Sequence, residues 1–541
     1  MTLDPALDPV LVPPRRTAMV DGGHWRDRTL DQWLTDAVTR RPDAEAVVAY
    51  RHDRDEPVRL RYAELDLLVD AAAGALTGRG VGPGDVVAYQ LPNWWELVVL
   101  SLACARIGAV ANPLMPIFRP RELRFMLTLA ETSVFIVPTE FRGFDHAAMA
   151  RDLAASVDHD LTVLTVGDRD DGGTSWLTEG SAGTPTPGSR SAGPLGPDDV
   201  ALLMYTSGTT GEPKGVMHTS NTLLAGVYAF AERMGLDEGS VVLGASPMAH
   251  LTGYGYLLGL PLVLGATTVC LDRWDPVRAL GVVAAEGVTF SMASSPFVAD
   301  LCAAAEGGAP VAEQFTRFVC AGAPIPPVLI ERARRVLGLT VCSAWGMTEN
   351  GAATLTEPDR ADEKSATSDG RPMPGMELRV VGAAGPGGTG SLQVRCPQQF
   401  AGYLKRPELN ATDADDWFTT GDLAHLDDEG YVRIDGRSKD LIIRGGENIP
   451  VVEVENLLHR HPAVEDVAVV GYPDERLGER ACAFVTVAAG RSFDLTELRR
   501  YLTDEQVATQ YHPERVEVID AMPRTPSGKI QKFSLRRDAA G

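Results

Sequence analysis

The strongest chemical signal in the sequence is a run of small and hydroxylated residues at positions 205–215, which reads Y-T-S-G-T-T-G-E-P-K-G. Glycines let several backbone N–H groups approach one oxyanion, hydroxyls donate further hydrogen bonds, and a lysine adds a mobile positive charge. The run follows the apolar residues 200–204, which predict a strand. The pattern indicates a phosphate-binding loop. Its candidate ligands are Thr206, Ser207, Gly208, Thr209, Thr210 and Lys214.

This loop is not a Walker A loop. A Walker A loop places Gly-Lys-Ser/Thr after four spacer residues, whereas the positions counted from Gly208 hold Pro213, Lys214 and Gly215. The mechanics of P-loop nucleotide triphosphatases therefore do not transfer. An ordinary flexible turn is the alternative interpretation of the run.

Four further motifs follow in the sequence: S-A-W-G-M-T-E at 343–349, T-G-D at 420–422, G-R-S-K-D at 436–440 and P-S-G-K at 526–529. With the loop, and in this order, they resemble the AMP-forming acyl-adenylate superfamily of acyl-CoA synthetases, adenylation domains and luciferases. The resemblance runs from about residue 93 to Lys529. The sequences of residues 343–350 and 444–449 most resemble those of the cyclohexanecarboxylate-CoA ligases and medium-chain acyl-CoA synthetases.

The resemblance implies that a carboxylate is brought to the α-phosphate of ATP, which requires a metal, a cation and fixed donors for developing charge. By this resemblance Glu349 holds Mg²⁺, Thr348 bonds the phosphate and His250 lies beside the acyl pocket. Lys529 follows a turn sequence and is expected to neutralise both reacting oxygens. The alternatives are a helix-capping Glu349, a solvated Lys529 and a satisfied core His250.

The nucleotide site is also assigned by resemblance. Asp422 accepts hydrogen bonds from the ribose hydroxyls, because a carboxylate offers two acceptor oxygens to a diol, and Arg437 approaches the same sugar. An N-capping Asp422 and a surface ion pair for Arg437 are the alternatives. The residues expected around adenine and its phosphates are Gly322, Ala323, Pro324, Trp345, Gly346 and Met347.

The resemblance places a hinge at Lys439, on which a C-terminal domain turns between two half-reactions. The segment Arg444, Gly445 and Gly446 would then meet coenzyme A, since paired glycines admit the narrow pantetheine arm and an arginine can meet a phosphate. A plain β-turn between strands is an equally open interpretation.

Strands separated by helices, as in residues 86–89, 94–108 and 134–137, predict a mostly parallel α/β sheet. The Gly/Ser/Pro-rich residues 167–197 predict a surface loop, and short β pieces after Gly375 predict a small barrel-like subdomain. The expected architecture is a large N-terminal domain of layered α/β subdomains with this barrel (1–436), a hinge (437–440) and a small, mobile α+β C-terminal domain (441–541).

Composition limits the partners. The chain has 541 residues with a formal net charge of -23, which argues against nucleic acid and anionic membranes. Its seven cysteines are scattered, odd in number and never spaced C-x-x-C, and the N-terminus has no apolar export signal, so a cytoplasmic protein is expected. The long apolar run 251–270 is interrupted by glycines and a proline, which favours a buried helix-turn-strand over a membrane span.

The sequence thus predicts an enzyme that uses ATP, Mg²⁺ and coenzyme A to convert a small or medium carboxylic acid to an acyl-AMP and then to a thioester. The predicted acyl pocket at residues 251–254, 294–297 and 320–322 has no charged side chain, which indicates an uncharged acyl group. Carrier-protein loading, or nitrite activation for diazotisation of an arylamine, is the first alternative. The second alternative is a non-catalytic nucleotide-binding regulator. The presence of Lys529, Glu349 and Asp422 argues against it. Whether the chain forms a homodimer is left open.

Overall fold

The computed structural model describes residues 7–167, 195–206, 213–322, 325–383, 385, 387–437, 442–444, 447–449, 451–474, 478–505, 507, 509–525 and 528–540. We call residues 7–437 the body and residues 442–540 the C-terminal segment. Most of the predicted surface loop at 167–197 and the hinge residue Lys439 lie outside these ranges. Within them, every helix is too short or too polar to span a bilayer.

Two large sheets form the body. The strands up to residue 372, in chain order, are β1 (Glu45–Tyr50), β2 (Val58–Arg61), β3 (Val86–Tyr89), β4 (Val110–Pro113), β5 (Val134–Pro138), β6 (Glu140–Phe141), β7 (Phe144–Asp145), β8 (Thr162–Val166), β9 (Val200–Thr206), β10 (Lys214–Thr219), β11 (Val241–Gly244), β12 (Thr267–Leu271), β13 (Phe290–Ala293), β14 (Arg317–Ala321), β15 (Thr340–Met347), β16 (Gly351–Leu355) and β17 (Arg371–Pro372). All of them belong to these two sheets except β6 and β7, which form a separate two-stranded hairpin.

The remaining strands form two further sheets, except β20, which joins the second body sheet. The strands after residue 375 are β18 (Glu377–Val381), β19 (Gly390–Arg395), β20 (Gly402–Tyr403), β21 (Phe418–Leu426) and β22 (Val432–Arg437), and those of the C-terminal segment are β23 (Ile442–Arg444), β24 (Glu447–Ile449), β25 (Val464–Asp474), β26 (Gly478–Val487) and β27 (Arg515–Val518). The first body sheet has the order β17-β16-β15-β14-β13-β11-β12-β1-β2, and the second has the order β20-β10-β9-β4-β3-β5-β8. The predicted barrel-like subdomain is a four-stranded antiparallel sheet, β18-β19-β21-β22.

The helices cover the faces of these sheets. They are α1 (Arg16–Asp21), α2 (Leu30–Arg40), α3 (Tyr62–Thr77), α4 (Trp95–Ile107), α5 (Pro120–Leu129), α6 (His146–Ala154), α7 (Ser220–Met234), α8 (Leu251–Gly253), a π-helical turn (Tyr254–Gly259), α9 (Leu260–Leu264), α10 (Pro276–Glu286), α11 (Ser295–Glu306), α12 (Pro327–Leu337), α13 (Ala361–Lys364), α14 (Val451–Leu458), α15 (Leu495–Asp504) and α16 (Lys532–Ala539), with 3₁₀ turns at Pro407–Leu409 and Thr509–Tyr511.

The inner strands of both body sheets pair in parallel, as the alternation of strands and helices predicted. Parallel strands need both faces covered, and the largest apolar core accordingly lies between the two sheets, with Val47, Val87, Leu202 and Phe290 among its members. The apolar run 251–270 folds as α8, the π-helical turn, α9 and most of β12. The predicted α/β class, with a large N-terminal and a small C-terminal domain, is confirmed.

The C-terminal segment has its own cores. Its two clusters of buried apolar side chains draw only on residues from Ile442 onward, and its central strands β25 and β26 pair antiparallel over most of their length. Because its core does not depend on the body, this segment has the organisation of a separate folding unit.

Candidate active site

The site lies where several strands of the first body sheet end. Strands β13, β14 and β15 are parallel neighbours, with Ala293 beside Cys320 and Cys320 beside Ser343. The residues that follow each strand therefore line the same edge of the sheet, which is where open α/β sheets bind ligands. In the second sheet, β9 ends at Thr206 and β10 begins at Lys214. Of the predicted phosphate ligands, Ser207, Gly208, Thr209 and Thr210 lie outside the described residues.

The side chains of Lys214, Tyr403 and Glu349 form a hydrogen-bonded chain. Lys214 Nζ donates to Tyr403 Oη at 2.7 Å, and Tyr403 Oη donates to Glu349 Oε1 at 2.6 Å. The Lys214 Nζ to Glu349 Oε1 distance is 3.9 Å. Burial, reinforced by the Glu349 carboxylate, raises the pKa of Tyr403 well above its usual range, so its phenol stays protonated and donates.

The second carboxylate oxygen of Glu349 is the best metal-binding candidate. Oε2 is buried and accepts no hydrogen bond from any described residue. Mg²⁺ characteristically takes one or two carboxylates together with substrate phosphates, and a buried carboxylate oxygen on a residue next to Lys214, one of the predicted phosphate ligands, fits that requirement. Within the described ranges, no group of three or more His, Cys, Asp or Glu side chains could hold a metal ion without such phosphates.

A hydrogen bond from His218 holds the backbone of the turn that carries Thr348 and Glu349. His218 Nε2 donates to the Thr348 carbonyl at 2.7 Å, and its Nδ1 lies 3.1 Å from Thr222 Oγ1. Since a carbonyl can only accept, Nε2 carries the proton and Nδ1 accepts from the hydroxyl. Burial lowers the pKa of His218 to about 4, so the ring is neutral near pH 7. Asn350 Oδ1 accepts from the Met347 N–H at 3.0 Å and closes the turn.

The predicted ribose and adenine residues also meet. Trp345 Nε1 donates to Asp422 Oδ2 at 2.9 Å, and the Asp422 side chain is buried. Asp422 lies within β21 and Glu349 lies in the turn between β15 and β16, so neither caps a helix. The strand register sets Arg437 opposite Asp422. Gly346 has a structural reason to be glycine, because a Cβ there would lie 1.8 Å from the Gly351 carbonyl oxygen.

Lys529 reaches this edge from the C-terminal segment. A Cβ on Gly322 would lie 2.8 Å from Lys529 Cε and 3.6 Å from its Nζ, so the lysine tip rests directly on the glycine. Gly322 has a φ of +86°, a second reason for glycine at this position. Ala323 and Pro324 lie outside the described residues. At the neighbouring position, a Cβ on Gly528 would lie 2.4 Å from Ser294 Oγ, after the end of β13.

His250 lies near the contact between Lys529 and Gly322. It precedes α8, and its Nδ1 accepts from the Thr252 N–H at 3.3 Å. Burial lowers its pKa to about 4, and the positive charge of Lys529 adds to that lowering. The structure therefore brings Lys529, Gly322 and His250 together, with His250 neutral near pH 7.

A small enclosed cavity of about 10 Å³ lies behind the Thr348 turn. Its walls are apolar or neutral side chains: His218, Thr222, Leu223, Gly226, Val227, Leu251, Gly255, Tyr256, Gly351 and Gln398. Of the predicted acyl-pocket segments, only 251–254 contributes to this described lining. Tyr256 Oη accepts from the Ala352 N–H at 3.0 Å, and Gln398 Nε2 donates to the Ala352 carbonyl at 3.2 Å.

The predicted coenzyme A segment is only partly described. Arg444 Nε lies 2.6 Å from Glu514 Oε1, so its charge is offset within the C-terminal segment. Strands β23 and β24 pair antiparallel on either side of Gly445 and Gly446, and those two glycines lie outside the described residues.

Sequence reasoning missed Tyr403 and His218. Tyr403 lies 54 residues from Glu349, and nothing in its local sequence marks it as a partner. A signal did exist for His218, because it stands four residues after Lys214 on a strand, where alternate side chains share a face. Both side chains face the Thr348–Glu349 turn.

Comparison with known proteins identifies the class of this fold and site. Residues 34–404 match the AMP-binding enzyme family, and residues 453–529 match the AMP-binding enzyme C-terminal domain. The chain belongs to the AMP-binding enzyme family, which confirms the predicted acyl-adenylate superfamily.

Relatives match over nearly the whole length. The medium-chain fatty-acid–CoA ligase of Escherichia coli strain K12 is 35% identical, over 97% of this chain and 93% of the relative. A salicylyl-CoA synthase / salicylate adenylyltransferase of a Streptomyces species is 37% identical, over 95% of this chain and 94% of the relative. The crystal structure of ATP-bound MatB from Rhodopseudomonas palustris superposes with a TM-score of 0.83 at 27% identity, covering 94% of this chain and 99% of that one.

Proposed function

We propose that this enzyme activates an uncharged small or medium carboxylic acid with ATP and then transfers the acyl group to the thiol of coenzyme A. The observation that carries the proposal is the position of Lys529, whose tip lies on Gly322 at the sheet edge that also holds Thr348 and Glu349. Relatives over most of the chain include a fatty-acid–CoA ligase and a salicylyl-CoA synthase.

In the first half-reaction, a carboxylate oxygen of the acid attacks the α-phosphorus of ATP, and the bond to the β-phosphate bridging oxygen breaks to release pyrophosphate. Two anions must approach each other, so a cation between them lowers the barrier most. Lys529 supplies that cation. His250 is neutral near pH 7 and adds no competing charge beside the acid.

Glu349 Oε2 would hold Mg²⁺ together with the phosphates, where the ion would neutralise charge on the departing pyrophosphate. Tyr403 keeps Oε1 engaged and so directs Oε2 toward the phosphates. Lys214 lies at the start of β10 and can turn from Tyr403 to a phosphate. Thr348, with Thr206, Ser207, Gly208, Thr209 and Thr210, would donate to the phosphate oxygens.

Asp422, whose carboxylate is held by Trp345 Nε1, would accept hydrogen bonds from the ribose hydroxyls, and Arg437 would approach the same sugar. Trp345, Gly346, Met347, Gly322, Ala323 and Pro324 would enclose adenine. This arrangement fixes the α-phosphate relative to Lys529, which is the positioning that the reaction needs.

In the second half-reaction, the sulfur of coenzyme A attacks the acyl carbon and AMP leaves. Lys529 has to leave the site so that coenzyme A can enter. We propose that the C-terminal segment rotates about Lys439, which removes Lys529 and brings Arg444, Gly445 and Gly446 to the site. Arg444 would then exchange Glu514 for a phosphate of coenzyme A. The predicted acyl-pocket segments 251–254, 294–297 and 320–322 carry no charged side chain, which favours an acid without a charged tail.

The decisive experiment is a pyrophosphate-release assay over a panel of aliphatic, alicyclic and aromatic acids and nitrite, with and without coenzyme A. Acid-dependent release followed by a coenzyme A thioester supports the proposal. Release with an acid but no thioester would point to a carrier protein as acceptor. Release with nitrite and an arylamine, indifferent to coenzyme A, would replace the proposal with diazotisation, and no release at all would favour a regulator. We place the reaction in the cytoplasm, where the seven buried, free cysteines would stay reduced.

A further inference from the structure

The loop that presents Lys529 is stiffened by its own backbone. We call residues 523–531 the lysine loop. The Gly528 N–H donates to the Thr525 carbonyl at 2.8 Å, and the Thr525 N–H donates to the Lys529 carbonyl at 2.7 Å. Arg524 and Ile530 form an isolated antiparallel bridge at the base of the loop. The described residues of the loop are thus held in a tight turn that ends at Gly528–Lys529.

Both polar groups of the peptide unit between Gly528 and Lys529 are held. The Lys529 N–H donates to Thr525 Oγ1 at 3.1 Å. On the other side, the guanidinium of Arg524 donates through Nη1 to the Gly528 carbonyl. A peptide unit is planar, so fixing its N–H and its C=O fixes the plane from which the Lys529 side chain starts.

Arg524 is in turn anchored to the sheet of the C-terminal segment. Its Nη2 donates to Asp466 Oδ2, and Asp466 lies in β25. His459 Nε2 lies 3.9 Å from the other Asp466 oxygen, and burial lowers the pKa of His459, so Arg524 is the main cation facing Asp466 near pH 7. A planar guanidinium suits this double contact, because its fixed fork can reach a carbonyl and a carboxylate at once.

We infer that Arg524, anchored by Asp466, is a positioning residue that aims Lys529 at the reacting oxygens. A lysine ammonium stands at the end of a four-carbon stem, so a small rotation of its peptide moves it far. A displacement of about 1 Å at a reacting centre can cost on the order of 10²-fold in rate. The anchor lies wholly within the C-terminal segment and moves with Lys529. This inference rests on the proposed role of Lys529 in adenylation.

The test compares Arg524→Gln with a matched control, Arg500→Gln, which removes an exposed arginine paired with Glu497 and Asp504 in the same segment. We expect Arg524→Gln to lower kcat for acid-dependent pyrophosphate release by about tenfold or more. Conversion of supplied acyl-AMP to thioester should stay within about twofold, because Lys529 is withdrawn in that step. Arg500→Gln should match the parent in both half-reactions.

A second comparison isolates the anchor. If Asp466 acts through Arg524, Asp466→Asn should slow adenylation less than Arg524→Gln, and the double variant should be no slower than Arg524→Gln alone. Arg524→Lys keeps the positive charge but loses the planar guanidinium, so it should also slow adenylation without slowing thioester formation. It serves as a second variant if Arg524→Gln does not fold. Equal losses in both half-reactions, or full adenylation in Arg524→Gln, overturn the inference. Lys529→Ala is measured in the same assays. If Lys529→Ala retains adenylation, the proposed function of Lys529 is wrong. If Lys529→Ala loses adenylation while Arg524→Gln retains it, only the positioning role of Arg524 is rejected.

Discussion

The nucleotide end of the body and the lysine loop position their functional groups in different ways. In the body, each functional group is held by a side chain from a distant element: the Glu349 carboxylate by Tyr403, the Asp422 carboxylate by Trp345, and the Thr348 carbonyl by His218. Lys529 is aimed by hydrogen bonds within its own loop and meets the body at Gly322. We therefore propose that the body is preassembled and that the C-terminal segment delivers the lysine to it.

This difference follows from where the cores lie. The body site is built on strands whose apolar side chains pack into cores that lie within the body. The C-terminal segment buries its own apolar side chains.

The largest effect should come from removing the delivered group. Lys529→Ala should slow adenylation by on the order of 10² or more, because it removes the cation proposed to lie between the two reacting anions, and should leave conversion of supplied acyl-AMP intact. Single-turnover pyrophosphate release measures the first step and thioester formation the second. Lys532→Ala, which removes a lysine paired with Glu455 at 2.7 Å, is the matched control. Equal losses in both half-reactions would reject the role.

The contact between the two regions can be blocked from the body side. Gly322→Ala should lower adenylation by on the order of 10-fold or more, since its Cβ would lie 2.8 Å from Lys529 Cε. Gly338→Ala controls for backbone strain, because Gly338 also has a positive φ (+69°) but open space around its Cα. Steady-state kcat for adenylation is the measurement. If both variants behave alike, the lysine contact is not responsible.

Within the preassembled region, Asp422→Ala should raise the KM for ATP by roughly 10-fold, the equivalent of one or two lost hydrogen bonds to a charged group. The parent enzyme should prefer ATP over its deoxyribose analogues, and the variant should lose that preference. Asp422→Asn keeps an acceptor for Trp345 and should be milder. An unchanged discrimination between sugars would show that Asp422 does not contact the ribose.

A smaller effect is expected from Tyr403→Phe. Without the phenol, Glu349 loses its orienting donor, and we expect a few-fold rise in the Mg²⁺ concentration at half-maximal rate, because Lys214 is near enough to replace it in part. Glu349→Gln should shift the Mg²⁺ titration further. Tyr228→Phe, which removes another buried tyrosine hydroxyl of the body, bonded to Trp33 Nε1 at 2.9 Å, is the control. An Mg²⁺ titration unchanged in Glu349→Gln would remove the metal role.

The smallest expected change is in the stability of the body with pH. Burial lowers the pKa of His146 and His218 to about 4 in the folded protein, against 6.5 for the free side chain. The unfolded chain binds protons more readily below pH 6.5, so their contribution to stability is present above that pH and declines as the pH falls toward 4. From pH 7 to 5 this amounts to on the order of 2 kcal/mol per histidine. Tm should fall over this range, and less steeply in His218→Gln.

Much of the architecture could be predicted. Apolar runs such as 86–89 and 134–137 are strands β3 and β5, and they pair in parallel as the intervening helices implied. The apolar run 251–270 was correctly assigned as buried helix-turn-strand. A π-helical turn inside that run was not foreseen, because glycines and tyrosines within an apolar run carry no signal for it. The residues that line the acyl pocket stay a prediction, because pocket walls come from separate elements and no single segment marks them; Leu251 lies in the wall of a small cavity.

The sequence by itself determined which chemistry this chain carries. Hydroxyls, glycines, a buried acid and a loop-tip lysine are demanded by phosphate and carboxylate chemistry, and they stand in short motifs that can be recognised locally. Only the tertiary structure decided how they are oriented: Tyr403 against Glu349, His218 beneath Thr348, Gly322 under Lys529, and Arg524 between Gly528 and Asp466. The physical reason is that a motif records which groups a reaction needs, whereas the partners that aim those groups are brought together by strand order and loop closure. Their identities leave no pattern in neighbouring residues.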